Sequence, residues 1–182
     1  AMIDNSYESG IDLNCEDWDD YCGSPNPYMD DEDSLFWKII DGETYFFANS
    51  NGIVEPLELG YQEWTDGRLT SIMCGAYIYC QLSGEIPEVS EDQLNEIEQF
   101  RFEYNYLSGY VPESICDLTL NHNDYLEFDL TGNLLCPPYP ECIGENIGYQ
   151  DISECEQEQL GDINNDGIVN ILDVVAIVQY VL

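Results

Sequence analysis

Residues Ile97 to Pro112 read IEQFRFEYNYLSGYVP, and the order of apolar and turn residues in this stretch predicts the fold. Ile97, Phe100 and Phe102 lie eight, five and three positions before Asn105. Alternate apolar side chains of a short strand would point inward there, and the Asn105 side chain would satisfy backbone groups left unpaired at a bend. The LSGYVP that follows supplies a glycine for a tight backbone path and a proline that ends the segment.

The same order of residues occurs twice more. One copy is C-x-L-S-G-x-I-P from Cys80, and the other is N-x-L-C-P-P from Asn133, which lacks the glycine. The residues at the three upstream positions are Ile72, Gly75 and Tyr77 in the first copy and Tyr125, Phe128 and Leu130 in the third. The key positions Cys80, Asn105 and Asn133 are 25 and 28 residues apart, a period typical of stacked repeats. A stack this short needs a cap at both ends, because each repeat buries its apolar face only against its neighbours.

The repeat resembles the plant-type leucine-rich repeat, L-x-x-L-x-L-x-x-N-x-L-x-G-x-I-P, over roughly residues 66–138. The copy at Asn105 is the most faithful, whereas Cys80 replaces the asparagine in the first copy. The resemblance implies a short leucine-rich-repeat stack with disulfide-bonded caps. The alternative is an unrelated mixed α/β domain in which two L-S-G-x-[IV]-P matches arise by chance.

Residues 161–182 read GDINNDGIVNILDVVAIVQYVL and contain a calcium-loop pattern. Gly167 at position 6 permits a sharp turn, and Ile168 at position 7 offers its backbone carbonyl. The six predicted ligands are Asp162, Asn164, Asp166, Ile168, Asn170 and Asp173. Ca²⁺ prefers six to eight oxygen ligands at such spacing, whereas Mg²⁺ demands a tighter octahedron. The pattern therefore predicts a bound Ca²⁺ ion, and the alternative is an Asx-rich turn before a helix.

The loop resembles the type I dockerin repeat, D-x-N-x-D-G-x-x-N-x-x-D followed by one helix, and every ligand position matches. That resemblance implies the same six ligands, the pairing of two such repeats, and binding to a cohesin partner. A single repeat is present here, and Ile171 and Leu172 stand where polar cohesin contacts usually lie.

The helix predicted after this loop is apolar around nearly its whole circumference. Its apolar residues are Ile171, Leu172, Val174, Val175, Ala176, Ile177, Val178, Val181 and Leu182. Such a helix must be buried on most faces, because burying each Val, Leu or Ile side chain is worth roughly 1.5–3 kcal/mol. It either packs back on the repeat stack or docks into another chain, by self-association or with a protein partner.

These patterns together predict a mixed α/β fold in three parts. Residues 1–65 form an acid-rich N-terminal cap, residues 66–158 form the leucine-rich repeats and C-terminal cap, and residues 159–182 form the dockerin-like calcium loop and helix.

The charge balance restricts the partners. Three basic residues stand against 38 acidic ones, for a net charge of −35. Nucleic acid and anionic membrane surfaces are poor partners, because such a chain repels them. No apolar run reaches the roughly 18 residues that span a bilayer. Self-repulsion destabilises the compact state unless a saline environment or several bound Ca²⁺ ions neutralise it.

The eight cysteines predict four disulfides and an oxidising compartment, hence a secreted or cell-surface protein. Their spacing matches no zinc site, and one histidine gives little to complete such a site. Short closures favour Cys15–Cys22 and Cys136–Cys142, and Cys74–Cys80 is a third candidate.

The sequence predicts a non-enzymatic binding or structural protein. With 38 acidic residues a carboxylate pair carries no weight as a catalytic signal, and no phosphate-loop or dinucleotide motif is present. The expected contact surface is aromatic, with Tyr77 and Phe102 inward, Tyr79 and Tyr104 outward, and Tyr106 and Tyr110 nearby. A protein is the expected partner and a glycan the alternative.

One version of this function is a subunit of a calcium-dependent extracellular assembly or fibre. The other is a monomeric recognition domain that a dockerin-type module attaches to a cohesin-like partner or cell-surface scaffold.

Overall fold

The computed structural model describes residues 1–11, 13, 23–75, 77–90 and 94–155. Within these ranges the secondary structure is mostly β. The strands are β1 Lys38–Ile40, β2 Glu43–Tyr45, β3 Tyr61–Thr65, β4 Arg68–Met73, β5 Ser83–Glu85, β6 Gln99–Arg101, β7 Tyr106–Tyr110, β8 Phe128–Asp129 and β9 Leu134–Cys136. The helix α1 spans Met2–Glu8, and 3₁₀ turns span Pro27–Asp30, Glu113–Asp117 and Gly144–Ile147.

Two sheets form the two faces of a β-solenoid. The larger sheet has the strand order β2-β1-β3-β4-β6-β8, and the smaller sheet has the order β5-β7-β9. Strands β4, β6 and β8 pair in parallel, as do β5, β7 and β9. Each coil of the chain therefore runs through the larger sheet, crosses to the smaller one and returns.

The expected mixed α/β fold, a leucine-rich-repeat stack with a C-terminal helix, is wrong for the part of the chain that the structure describes. The helix α1 has only seven residues there, and the return from β7 to β8 is made by the 3₁₀ turn Glu113–Asp117 and by turns around Asn121. Asn and Asp in the return sequence NHND favour turns over helix, because their side chains bond nearby backbone groups. The calcium loop and helix predicted at 159–182 lie outside the described residues.

The core lies between the two sheets, and most of the predicted inward positions are confirmed. Ile72, Phe100 and Phe128 share one register position in the larger sheet. The buried apolar residues that the repeat pattern identified are Ile72, Leu82, Ile86, Ile97, Phe100, Phe102, Leu107, Val111, Phe128, Leu130 and Leu135, whereas Tyr125, eight positions before Asn133, is 68% exposed. The prediction that Tyr77 points inward is wrong, because its side chain is 94% exposed.

A three-residue difference in coil length explains the error at Tyr77. Met73 pairs with Arg101, so Cys74, and not Tyr77, occupies the position of Phe102. Cys74 precedes Cys80 by six residues, whereas Phe102 precedes Asn105 by three. The Cys74–Cys80 disulfide, one of the predicted candidates, closes this longer turn.

A side-chain amide closes the bend in the second coil, as the sequence predicts. Asn105 Nδ2 donates to the carbonyl oxygens of Cys74 at 2.8 Å and Phe102 at 2.9 Å. Asn105 Oδ1 accepts the backbone N–H of Leu82 at 2.9 Å. One amide therefore joins two successive coils, and it is almost fully buried.

The same arrangement recurs in the next two coils, and we call Asn105, Asn133 and Gln150 the amide ladder. Asn133 Oδ1 accepts from Leu107 N at 3.1 Å, and Gln150 Oε1 accepts from Leu135 N at 3.2 Å. Asn133 donates to the carbonyls of Phe102 and Leu130, and Gln150 to those of Leu130 and Ile147. In the first coil Cys80 replaces the amide, and Asn26 instead donates to the Tyr79 carbonyl at 2.6 Å.

Three disulfides join the described cysteines, Cys74–Cys80, Cys116–Cys142 and Cys136–Cys155. The predicted pair Cys136–Cys142 is wrong. Stacking of the coils places Cys142 5.7 Å from Cys116, between Cα atoms, and leaves Cys136 to pair with Cys155. The predicted pair Cys15–Cys22 lies outside the described residues.

Helix α1 covers the outer edge of the smaller sheet. Asn5 Nδ2 donates to the Glu85 carbonyl at 2.7 Å, and Ser83 N donates to Ser6 Oγ at 2.9 Å. The backbone groups of β5 that face away from β7 are thus occupied. Coverage of an edge strand prevents uncontrolled pairing with another chain.

Candidate functional site

The outer face of the larger sheet carries one row of side chains, here named the outer row: Trp37, Tyr61, Met73, Arg101 and Asp129. Tyr61 pairs with Met73, Met73 with Arg101, and Arg101 with Asp129. Trp37 extends the row, since its ring centroid lies 4.4 Å from that of Tyr61. Alternation along each strand points these side chains away from buried neighbours such as Gln62 and Ile72, although Tyr61 and Met73 also pack partly against the apolar core.

One end of the outer row is aromatic and open to solvent. The Trp37 side chain is 41% exposed although it contacts Tyr61. Leu35 and Phe46 are also exposed, at 66% and 62%. Several exposed large apolar side chains close together in the sequence are compatible with an interaction surface.

The other end of the outer row is polar and tightly packed. Arg101 Nη2 lies 2.6 Å from Glu103 Oε1, and Glu103 is only 6% exposed. Gly75 makes room for this carboxylate, since a Cβ atom there would lie 2.0 Å from Glu103 Cδ. A buried ion pair of this kind restrains both side chains, so Arg101 is held in one position on the sheet face.

An acidic groove of about 620 Å³ runs beside the outer row. Its floor includes Glu63, Ser71 and Gln99, which share one register position, and Ser71 Oγ donates to Gln99 Oε1 at 2.8 Å. The remaining acids that line it are Glu98, Asp124 and Glu127. No lysine or arginine lines the groove, so its potential favours cationic or neutral ligands over anionic ones.

The chain's three basic side chains leave the described surface with little positive charge. Lys38 is fully buried and Arg101 is paired with Glu103. Arg68 is exposed and donates to Asn95 Oδ1 at 3.5 Å. The acidic groove and the sheet face around it are therefore predominantly negative.

Lys38 fixes strand β1 beneath the exposed Trp37. Its Nζ donates to the backbone carbonyls of Gly60 at 2.6 Å and of Phe36 and Glu58 at 3.3 Å each. Burial lowers the pKa of Lys38 from 10.5 to about 8, and the negative charge of Glu58 opposes that shift. The lysine thus joins β1 to the segment before β3 at the cost of burying a charge.

We expect the free energy of unfolding to rise between pH 8 and pH 10 because of Lys38. The folded protein releases the Lys38 proton near pH 8 while the unfolded chain keeps it to 10.5, and stability rises wherever the unfolded state binds more protons. The gain is at most about 1.4 kcal/mol per pH unit. Urea denaturation of the native protein and of Lys38→Met at pH 7, 8, 9 and 10 measures it. Taking the difference in the free energy of unfolding between the two proteins cancels the contribution of tyrosine ionisation. A difference that is constant with pH would contradict the prediction.

The predicted calcium ligands Asp162, Asn164, Asp166, Ile168, Asn170 and Asp173 lie outside the described residues. Within the described ranges no group of three or more His, Cys, Asp or Glu side chains is arranged to hold a metal ion. No helix there is long and apolar enough to cross a membrane.

The expected orientation of the aromatic side chains is confirmed in part. Tyr79 and Tyr104 are 60% and 64% exposed, and Phe102 is fully buried. The outer row was missed, because its members come from strands whose order and register no single segment reveals. The available signal was the alternation in LFWKII and YQEW, which places Trp37 and Tyr61 opposite their buried neighbours.

No protein-family model, curated protein or solved structure matches this chain. Neither the leucine-rich-repeat nor the dockerin resemblance gains support from a relative. The function must therefore be inferred from the chain's own residues and their arrangement.

Proposed function

We propose that this chain is a secreted, non-enzymatic binding protein that holds a partner on the outer row and binds Ca²⁺ through residues 162–173. The observation that carries the proposal is the exposed Trp37–Tyr61 contact at one end of a sheet face and the fixed Arg101 at the other. Trp, Tyr and Arg are the residues that most often dominate binding energy at protein interfaces.

The rigidity of the larger sheet supports this role. The outer row is placed by strand pairing, and Lys38 and the Arg101–Glu103 pair restrain its two ends. Side chains held on strands lose less conformational entropy on binding than side chains on mobile loops. A preformed surface of this type suits recognition.

The disulfides support the proposed compartment. Three disulfides are present among the described residues, and no helix there could cross a membrane. The disulfides are compatible with an extracellular protein. The net charge of −35 gives the surface a strong negative field that repels anionic partners.

A protein partner is favoured, with basic residues over the acidic groove and apolar ones over Trp37. A glycan that stacks on Trp37 and Tyr61 is the alternative. The largely apolar segment 171–182 supports a further version of this function. In that version the partner is a second copy of the chain or a cohesin-like scaffold, and bound Ca²⁺ orders the predicted helix for contact with it.

Replacing Trp37 by alanine should weaken partner binding at least about tenfold, because truncating an aromatic hot-spot residue at an interface typically costs about 2 kcal/mol or more. The immobilised protein is first tested against a panel of purified basic proteins and neutral oligosaccharides. Each ligand that binds is then titrated against Trp37→Ala and against Tyr45→Ala. Tyr45 is the matched control, since it is also 41% exposed but pairs with the inward-facing Lys38.

Binding to the Tyr45→Ala variant should stay within about twofold of the native protein. The proposal fails if no member of the panel binds, or if every binder is indifferent to the loss of Trp37.

A further inference from the structure

A second surface lies at the turn between the two sheets, where tyrosine recurs at one position of the coil. Tyr79, Tyr104 and Tyr149 each stand immediately before the residue at which the chain bends, Cys80, Asn105 or Gln150. We call these three tyrosines the tyrosine edge. Their side chains are 60%, 64% and 73% exposed.

The backbone at this position is unfavourable for a bulky residue. Tyr79 has φ of 49° and Tyr104 has φ of 56°, and the equivalent residue of the third coil is Gly132, with φ of 75°. Glycine, asparagine and aspartate are the residues that adopt this left-handed conformation at low cost. Two tyrosines at such positions, both with exposed rings, point to a role for the rings rather than for the backbone.

The rings are also ordered by the coil geometry. A Cβ atom at Gly132 would lie 2.7 Å from Tyr104 Cδ1, so the Tyr104 ring packs directly on the backbone of the next coil. Gly132 separates Tyr104 from Tyr149 in the order of the coils, and Tyr79 lies in the turn of the preceding coil that the Cys74–Cys80 disulfide closes. In coil order the three exposed tyrosines therefore form a short row at the bends of the solenoid.

From this row and the surrounding charge we infer that the tyrosine edge binds an extended, arginine-rich segment of a cationic polypeptide. Aromatic ring faces attract guanidinium groups, and the attraction grows where water is excluded. The protein carries 38 acidic residues against three basic ones, of which Lys38 is buried and Arg101 is paired with Glu103. A cationic segment is therefore attracted by the whole surface and positioned by the three rings.

This inference concerns a different surface from the outer row and does not depend on it. A neutral oligosaccharide could also stack on tyrosine rings, but it would gain nothing from the net charge of −35. Charge complementarity therefore favours the polypeptide, and the glycan becomes an outcome of the test.

The test is calorimetric titration of a ten-residue oligoarginine peptide into the native protein and into the triple variant Tyr79→Asn, Tyr104→Asn, Tyr149→Asn. Asparagine tolerates the left-handed backbone, so the fold should be kept, which a near-ultraviolet circular dichroism spectrum and a urea unfolding curve verify. The substitutions do not change the net charge. We expect the triple variant to bind the peptide roughly ten- to hundredfold more weakly, because three cation–π contacts are lost.

The matched control is Tyr125→Asn, since Tyr125 is 68% exposed but lies in the return segment away from the edge. Its peptide affinity should stay within about twofold of the native value. Equal affinity of the native protein and the triple variant would show attraction by charge alone and overturn the inference. Absence of peptide binding would overturn it too, as would tyrosine-dependent binding of a neutral oligosaccharide such as cellohexaose in place of the peptide.

Discussion

Replacing Asn105 by alanine lowers the free energy of unfolding by at least about 3 kcal/mol, because the change leaves buried backbone groups without partners. The Leu82 N–H and the carbonyls of Cys74 and Glu103 all lose their bonds to Asn105. The Phe102 carbonyl keeps its bond from Asn133 Nδ2. Each unsatisfied buried group costs roughly 1–3 kcal/mol, and the total is a large part of the 5–15 kcal/mol typical of a folded domain.

Replacing Asn133, the next residue of the amide ladder, should lower the free energy of unfolding less than replacing Asn105. The order of the two losses is a sharper check than either value alone. In Asn133→Ala the carbonyls of Phe102 and Leu130 keep bonds from Asn105 and Gln150, so only the Leu107 N–H is left unpaired. Urea denaturation followed by tryptophan fluorescence measures both variants. Asn123→Ala is the control, since Asn123 is exposed and its loss should cost no more than about 0.5 kcal/mol. A loss below about 1 kcal/mol for Asn105→Ala would mean that the ladder does not hold the coils together.

Calcium titrated into chelator-stripped protein should release or absorb measurable heat, and the variant Asp162→Ala should abolish that signal. Asp162 is the first of six oxygen ligands in the predicted loop, and Ca²⁺ affinity depends on the number and charge of such ligands. Isothermal titration calorimetry at pH 7 measures the effect. Asn165→Ala is the matched control, because Asn165 occupies position 4 of the same loop, which supplies no ligand.

Equal heats from Asp162→Ala and Asn165→Ala would contradict the predicted loop. The molar mass from light scattering, with calcium and with chelator, then decides between the two versions of the function that involve residues 171–182. A mass that rises with calcium supports assembly through the helix predicted from the sequence, whereas a monomer at all calcium concentrations rules assembly out.

The local pattern of the sequence was sufficient to predict which side chains fill the interior of the coils. The positions of Phe100, Phe102 and Leu107 follow from the alternation of short strands, and the role of Asn105 follows from the need to pair backbone groups at a bend. The helices that the leucine-rich-repeat resemblance implied are not formed in the described residues, because turn-forming residues occupy the return segments. The calcium prediction likewise depends on local spacing alone and stays a prediction.

Only the tertiary structure decided which residues meet across coils. The outer row brings together Trp37, Tyr61, Met73 and Arg101 through a parallel β1–β3 pair and a hairpin, and the pairing of Cys116 with Cys142 depends on how coils stack. The three extra residues between Cys74 and Cys80 show the same limit, because copies with the same motif contain turns of different lengths. Alternation along a strand is a property of the local backbone, whereas strand order and register are set by the joint packing of distant segments.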